Sequence, residues 1–329
     1  MPADAQPEDM TLKFLRDPYM EWAQGEGVPV HLDFGHDLLA LEAACDDTVV
    51  GIMLTNPNTL GLFDEHVEEV IKIVHECGGL VYGDGANLNA LVGSLRPGDV
   101  GVDLLHVNLH KTFAVPHGGG GPGGGAICVA ANLEPFLPAP LVVRHRDGTY
   151  GLDHDRPDSI GRVHTYNGNF NAVLRSYAYI LQLGGDGLAE LGANAVLNAN
   201  YLKALLSHDF EYYVDRICMH EFVIDGRTFR EYGVRTLDIA KRLIDHGYHP
   251  PTVYFPLIAP EAIMIEPTET ESKQTLDLFA AALIEVAREA RETPDVVLTA
   301  PHLTPVGRLD EVRAARQPDL KWDAAEAAG

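Results

Sequence analysis

Apolar positions in the first half of the chain follow two periods, one typical of strands and one typical of a helix. Strand-like runs are TVVGIML (48–54), LVYGDGA (80–86), the run leading into Lys111, and AICVA (126–130). Between the first two, residues 63–77 carry a stripe at helical spacing formed by Val67, Val70, Ile71 and Val74. A strand, a helix and a strand in this order predict a βαβ unit, and therefore a parallel sheet covered by helices.

Shorter signals fill in the rest of this half. VPVHLDF (28–34) alternates like a strand, residues 37–45 predict a short helix that begins at an acidic residue, and residues 86–99 predict a helix followed by a turn. Residues 132–170 are rich in proline, glycine and charge, which indicates a surface excursion.

The second half of the chain predicts a smaller α+β unit. Residues 171–206 indicate long helices broken around LGGDG, and the order strand, helix, strand, strand, helix follows in segments 211–225, 236–249, 252–258, 262–267 and 272–290. We therefore expect four regions: a poorly ordered arm (1–27), a large domain on the parallel sheet (28–175), a small C-terminal α+β domain with bridging helices (176–310) and a frayed acidic tail (311–329).

The charge balance argues against two classes of binding partner. The chain has 48 acidic and 24 basic residues, a formal net charge of −24, which argues against nucleic acid and anionic membrane surfaces. The acidic residues are spread along the chain, so we expect a solvated acidic surface of the kind found in halophilic proteins. Neither a long apolar span nor a leader pattern is found, which predicts a soluble cytoplasmic protein. The four cysteines are scattered along the chain, and their spacing indicates neither a disulfide framework nor a zinc site.

Lys111 is the first candidate for chemistry. It follows an apolar strand and precedes a glycine loop, and a lysine there is costly to desolvate unless its pKa falls or it forms an imine. The loop formally contains G-x-G-x-x-G at 118–123, but a strand follows it where a dinucleotide site requires a helix. No P-loop sequence is present. A flexible linker and a close backbone approach to a ligand both stay open for this loop.

Asp84 and Ala86 give Lys111 its chemical context. They are two residues apart on one strand and share a face, so a carboxylate and a small side chain point to the same place. Pyridoxal phosphate requires a carboxylate that keeps its pyridine nitrogen protonated, room for its ring, and a lysine that forms an imine. The competing interpretation is a turn aspartate. His106, Asn108 and His110 share a strand face, and we expect neutral donors near a phosphate there and no metal site.

Several segments together resemble one family. They are TNPNTLGLF (55–63), YGDGANLNA (82–90), VNLHKTFAVPHGGGGPG (107–123), GRVHTYNGNF (161–170), AVLNANYL (195–202) and PPTVYFPLIAPEAIMIEPTETES (250–272). Over residues 28–300 the chain resembles subunit 2 of glycine dehydrogenase (decarboxylating), the P-protein of the glycine cleavage system. The resemblance implies the aspartate-aminotransferase-like (fold type I) architecture, with a mostly parallel large domain and a smaller α+β domain.

The resemblance also implies roles for individual residues. Lys111 would form the aldimine, Asp84 would pair with the ring nitrogen, and Ala86 would pack on the ring. Lys111 and His110 would handle protons. Asn108 and His110 would lie near the phosphate, and the strand-end turn would contribute Thr55, Asn56 and Thr59.

The implied activity is pyridoxal-phosphate-dependent decarboxylation of glycine. The aminomethyl group would pass to the lipoyl arm of the H-protein, and glycine dehydrogenase subunit 1 would be a partner. Residues 1–30 do not match the longer N-terminal segment of the family, so we expect an N-terminally truncated large domain. Two alternatives stay open: a non-catalytic remnant that at most binds subunit 1, and another fold type I enzyme such as a desulfurase or aminotransferase.

Overall fold

The structure is a computed structural model that describes residues 13–16, 26–27, 30–31, 35–117, 123–165 and 168–321. Its largest sheet has six strands in the order β2-β1-β5-β6-β7-β8. These strands are β1 (Lys13–Arg16), β2 (Glu26–Gly27), β5 (Val49–Leu54), β6 (Leu80–Gly85), β7 (Leu104–Asn108) and β8 (Gly125–Val129). A separate two-stranded pair is formed by β3 (Val30–His31) and β4 (Gly35–His36). β3 falls within the strand predicted for residues 28–34, and the other residues of that segment lie outside the described part of the chain.

The predicted βαβ unit is confirmed. Strands β5, β6 and β7 pair in parallel, and α2 (Val67–Glu76) connects the first two. The predicted apolar stripe is the buried face of α2, and it packs with Leu41 of α1 (Leu38–Ala44) and with the strands in one core. Strand β8 pairs antiparallel with β7, so the sheet is mixed at this edge. Among the described residues, no helix combines the length and the apolar character needed to cross a membrane.

Two stretches of the predicted N-terminal arm are strands of this sheet. β1 pairs in parallel with β5, and the Leu15 side chain is completely buried. The physical reason is that the edge of β5 offers unpaired backbone groups, and residues 13–16 supply a strand that satisfies them. The other residues of the arm, apart from β2, lie outside the described part of the chain.

Residues 86–99 form turns and a 3-10 helix (Pro97–Val100), so the predicted helix is wrong. Side chains compete with a helical backbone here: the Asn87 Oδ1 accepts from the N–H of Asn89, and the Thr112 hydroxyl accepts from the N–H of Leu88. Helix α2 also begins later than predicted, because the Asp64 carboxylate pairs with His36 and accepts from the N–H of His66.

The excursion after β8 contains a 3-10 helix (Ala131–Phe136) and the hairpin of β9 (Leu141–Arg144) and β10 (Tyr150–Asp153). It leads to the long helix α4 (Phe170–Leu206). Gly184 interrupts α4 with φ 65° and ψ −173°, so the break predicted around LGGDG is confirmed.

The C-terminal part is an α+β unit, as predicted. Its antiparallel sheet has the order β11-β13-β12, formed by β11 (Phe222–Asp225), β12 (Thr252–Val253) and β13 (Ala262–Ile265). Helices α5 (Thr236–Asp245), α6 (Lys273–Glu292) and α7 (Pro294–Leu298) cover it and share a second core with the end of α4. Helix α8 (Glu311–Arg316) in the tail buries no residue.

Candidate active site

A cavity of about 510 Å³ lies where the ends of β5, β6 and β7 meet loops of the C-terminal unit. The sheet side contributes Thr55, Thr59, Asp84, Ala86, Asn87, Asn89, His110 and Lys111. The C-terminal unit contributes His220, Glu221, Thr252, Phe255, Met264, Glu266 and Thr268. Parallel strands end on one side of the sheet, which is why residues distant in sequence converge here.

Lys111 lies one short helix beyond the strand on which it was expected. Strand β7 ends at Asn108, and α3 (Leu109–Thr112) carries Lys111 into the cavity with an exposed side chain. The turn is held by the N–H of Leu109, which donates to the carbonyl of Gly124 at 2.8 Å. The lysine is therefore accessible to a ligand, and its position does not require burial of the charge.

Asp84 lies at the end of β6 and faces the same cavity. Its Oδ1 accepts from the N–H of Ala86 at 2.9 Å and lies 3.8 Å from Nδ1 of His106, its cross-strand partner on β7. The carboxylate side chain is only 13% exposed. Asp84 is thus both a turn acceptor and a carboxylate facing the cavity.

His110 lies in surroundings that disfavour its charged form. Burial lowers its pKa, and the nearby His117 and Lys111 lower it further. The rings of His110 and His117 are 4.4 Å apart. A neutral ring next to Lys111 can accept a proton, as proton handling at this site would require.

The strand-end turn after β5 divides into residues that face the cavity and one that does not. The Thr59 hydroxyl is buried and has no hydrogen-bond partner among the described residues. Asn56 instead exchanges two hydrogen bonds with the backbone of Asp64, and its side chain does not line the cavity.

Asn108 also lies outside the cavity lining. Its Nδ2 donates to Nε2 of His106 at 2.7 Å. The structure therefore brings together six of the eight predicted site residues: Thr55, Thr59, Asp84, Ala86, His110 and Lys111.

The wall that the C-terminal unit contributes carries site residues that no sequence motif indicated. His220 and Glu221 are buried just before β11, and Glu266 follows β13. Asn87 and Asn89 reach across and donate to the Glu266 Oε1 at 2.8 and 2.7 Å. A histidine and a glutamate inside the apolar run ICMHEFVI were the available signal, since a charged residue in such a run needs a partner or a ligand.

The electrostatics of this wall are unusual. Burial raises the pKa of Glu221 well above its usual range, Glu266 raises it further and Lys111 opposes both. Burial lowers the pKa of His220. Among the described residues that line the cavity, Lys111 is the one lysine or arginine, facing the carboxyl groups of Asp84, Glu221 and Glu266.

Solved structures with this fold define the class. The crystal structure of a glycine decarboxylase (P-protein) of the glycine cleavage system in inhibitor-bound form superposes with a TM-score of 0.65 at 20% identity, covering 84% of this chain and 66% of that one. An apo cysteine desulfurase from Thermococcus onnurineus NA1 superposes with a TM-score of 0.62 at 17% identity, covering 85% of this chain and 73% of that one. The chain has the aspartate-aminotransferase-like (fold type I) architecture.

Sequence relatives are more specific. Residues 192–302 match the family model of the glycine dehydrogenase C-terminal domain. The chain is 58% identical over 286 residues to the probable glycine dehydrogenase (decarboxylating) subunit 2 of Caldanaerobacter subterraneus subsp. tengcongensis, covering 87% of this chain and 59% of the relative. The chain is also 56% identical over 287 residues to the probable glycine dehydrogenase (decarboxylating) subunit 2 of Bacillus licheniformis, covering 87% of this chain and 59% of that relative.

By sequence, therefore, the chain is a homologue of glycine dehydrogenase (decarboxylating) subunit 2. It spans about three fifths of the length of the curated relatives it matches.

Proposed function

We propose that the protein acts in pyridoxal-phosphate-dependent decarboxylation of glycine within a glycine cleavage system. The observation that carries this proposal is that Lys111 and Asp84 face one cavity on a fold type I scaffold, in a chain 58% identical to a glycine dehydrogenase subunit 2. The aminomethyl group would pass to a lipoylated H-protein, and subunit 1 would be a partner. The acidic composition, with a net charge of −24, supports a high-salt cytoplasm as the setting.

The residues present fit pyridoxal phosphate. Lys111 offers an accessible amine, and Asp84 offers a carboxylate at the strand end with the small Ala86 beside it. The buried Thr59 hydroxyl, which has no partner among the described residues, is a donor for a polar group of a ligand. The bound cofactor would supply an electron sink for the pair of electrons left when carbon dioxide departs.

Each residue then has a definite task. Lys111 would hold the cofactor through its side-chain amine. Asp84 would place a carboxylate beside the ring nitrogen and favour its protonated form. His110, whose pKa is lowered by burial, takes up and returns a proton beside Lys111. Asn56 and Asn108 support these residues through the turn after β5 and through His106.

Titration of the purified protein with pyridoxal phosphate tests the proposal. We expect a visible absorbance band that saturates with one cofactor per chain and is absent from Lys111→Ala. Lys72→Ala is the matched control because Lys72 is exposed on α2, where it pairs with Glu76 at 3.7 Å. A wild-type protein without a band would contradict cofactor binding and favour a role limited to binding subunit 1.

A second enzyme function has some support in the fold, because a cysteine desulfurase superposes with a TM-score of 0.62. Exchange of labelled bicarbonate into the carboxyl group of glycine, measured with subunit 1 and lipoylated H-protein, separates the two. Exchange supports the glycine reaction, whereas sulfide release from cysteine without any exchange would favour the desulfurase.

A further inference from the structure

Three acceptor side chains form a cluster on the wall of the cavity contributed by the C-terminal unit. His220, Glu221 and Glu266 each offer one nitrogen or oxygen atom, and these atoms lie within 4.8 Å of one another. The distance from His220 Nε2 to Glu221 Oε2 is 3.9 Å. His220 and Glu221 are 3% and 6% exposed, whereas Glu266 is the more exposed member of the cluster.

The hydrogen-bond donors that the described residues supply to this cluster are two neutral amides. Asn87 and Asn89 both donate to the Oε1 of Glu266, which orients that carboxylate. Among the described residues, neither Glu221 nor Glu266 forms an ion pair with a lysine or arginine. The buried Nδ1 of His220 also has no hydrogen-bond partner among them. Two carboxyl groups this close, with that of Glu221 buried, call for a cation or a proton.

The spacing indicates which kind of cation fits. Acceptors that receive hydrogen bonds of about 2.8 Å from one tetrahedral ammonium nitrogen lie about 4.6 Å apart. Ligands around a tetrahedral zinc ion, at about 2.1 Å each, lie only about 3.4 Å apart. The observed 3.9 Å, in a cluster whose atoms all lie within 4.8 Å of one another, exceeds the zinc spacing and needs only a small widening to receive an ammonium group.

We propose that His220, Glu221 and Glu266 form a subsite for the ammonium group of an amino-acid substrate. The choice of glycine as that substrate rests on the function proposed above, but the subsite itself does not. The three acceptors match the three N–H donors of a primary ammonium. Because the cavity holds Lys111 as well, the subsite would receive the substrate amine close to the residue it must displace.

Binding at this subsite is coupled to a proton. In the free protein burial and Glu266 raise the pKa of Glu221 and so favour its protonated form, with Lys111 acting in the opposite direction. Asp84, His110 and His220 complete the titratable groups of the described cavity lining. An arriving ammonium stabilises the ionised form of Glu221, so its proton leaves to solvent. Affinity for a cation that stays charged therefore rises as the pH is raised.

Calorimetry on Lys111→Ala protein without cofactor tests the subsite, with methylammonium as the probe at constant high ionic strength. We expect saturable binding, weakened about tenfold or more by a further Glu221→Gln or Glu266→Gln change, because a charged hydrogen bond is lost. Glu271→Gln, which alters net charge equally on an exposed residue outside this cavity, should leave the affinity unchanged. Repeating the titration in buffers of different ionisation enthalpy should reveal proton release, which Glu221→Gln abolishes.

Other outcomes overturn the proposal. These are equal affinity in Glu221→Gln and Glu271→Gln, equally tight binding of tetramethylammonium (which has no N–H donor), or zinc binding that displaces methylammonium. Binding to Lys111→Ala but not to the wild-type protein would identify the Lys111 amine itself as the occupant. Circular dichroism of each variant checks folding. Since no cofactor is present, failure of the proposed enzymatic function would leave these results unaffected.

Discussion

Gly61 joins the two walls of the cavity, and replacing it tests whether that junction positions the site. Gly61 lies in the turn after β5 with φ +76°, and a Cβ there would be 1.7 Å from the carbonyl oxygen of Glu221. Its own carbonyl accepts from the N–H of Met219 at 2.6 Å. The turn that carries Thr55 and Thr59 is therefore packed directly on the segment that carries His220 and Glu221.

Gly78 offers a matched comparison. It has a similar φ of +87°, but a Cβ there would meet nothing within 4 Å. Gly78→Ala should therefore cost only the backbone strain of a left-handed residue, about 1–2 kcal/mol. Gly61→Ala should cost that strain and, in addition, about 1–3 kcal/mol for the overpacked contact.

The larger effect is expected at the site. To move the new Cβ from 1.7 Å to the 3.0 Å below which real contacts essentially do not occur, the two segments must separate by about 1.3 Å. A displacement of about 1 Å at an active site can lower the catalytic rate on the order of 100-fold. We therefore expect Gly61→Ala to weaken methylammonium and cofactor binding strongly, while Gly78→Ala binds as the wild type does.

Urea unfolding gives the two stability changes, and calorimetry gives the two affinities. Equal losses of stability in the two variants would refute the clash argument. Unchanged ligand binding in a folded Gly61→Ala protein would refute the idea that this contact positions the wall.

Three further predictions address single residues and the net charge. Thr59→Val should leave the free energy of unfolding unchanged or raised, because the buried hydroxyl has no partner among the described residues to lose, yet it should weaken cofactor binding about tenfold in an absorbance titration. The Asp64 pKa is lowered overall: burial alone would raise it, but the hydrogen bond and charge of His36, 2.5 Å away, lower it. The stability contributed by this ionised carboxylate is present above the ordinary Asp pKa and is lost as the pH falls through the lowered pKa. Asp64→Asn should therefore cost about 3 kcal/mol of unfolding free energy near neutral pH and progressively less in acid. Urea unfolding at several pH values measures this cost. With a net charge of −24, the unfolding temperature should rise as salt is increased to molar concentrations; an unchanged value would contradict the halophilic interpretation.

The elements that the sequence predicted well are those in which one periodicity dominates. The stripe of α2 and the apolar runs of β5 and β6 each have one way to bury their side chains. Residues 86–99 do not form the helix that the sequence predicts. Asn87 and Asn89 instead bond to Glu266, 177 or more positions further along the chain, and no local pattern carries that information.

The candidate site likewise has a part that the sequence predicts and a part that it does not. Lys111 and Asp84 follow strands of one parallel sheet, so their convergence could be predicted from strand order alone. Glu221 and Glu266 join them only because the C-terminal unit packs against the ends of those strands. Asn56 and Asn108 were assigned by analogy of position, and the structure instead shows their side chains bonded to Asp64 and His106.

The most direct test of the central claim is to locate the cofactor on the chain. The protein is incubated with pyridoxal phosphate, reduced with borohydride to make the attachment permanent, digested and examined by mass spectrometry. The account predicts the cofactor-derived mass on the peptide containing Lys111, in proportion to the visible band. An unmodified Lys111 peptide, or the mass on a different lysine, would contradict it.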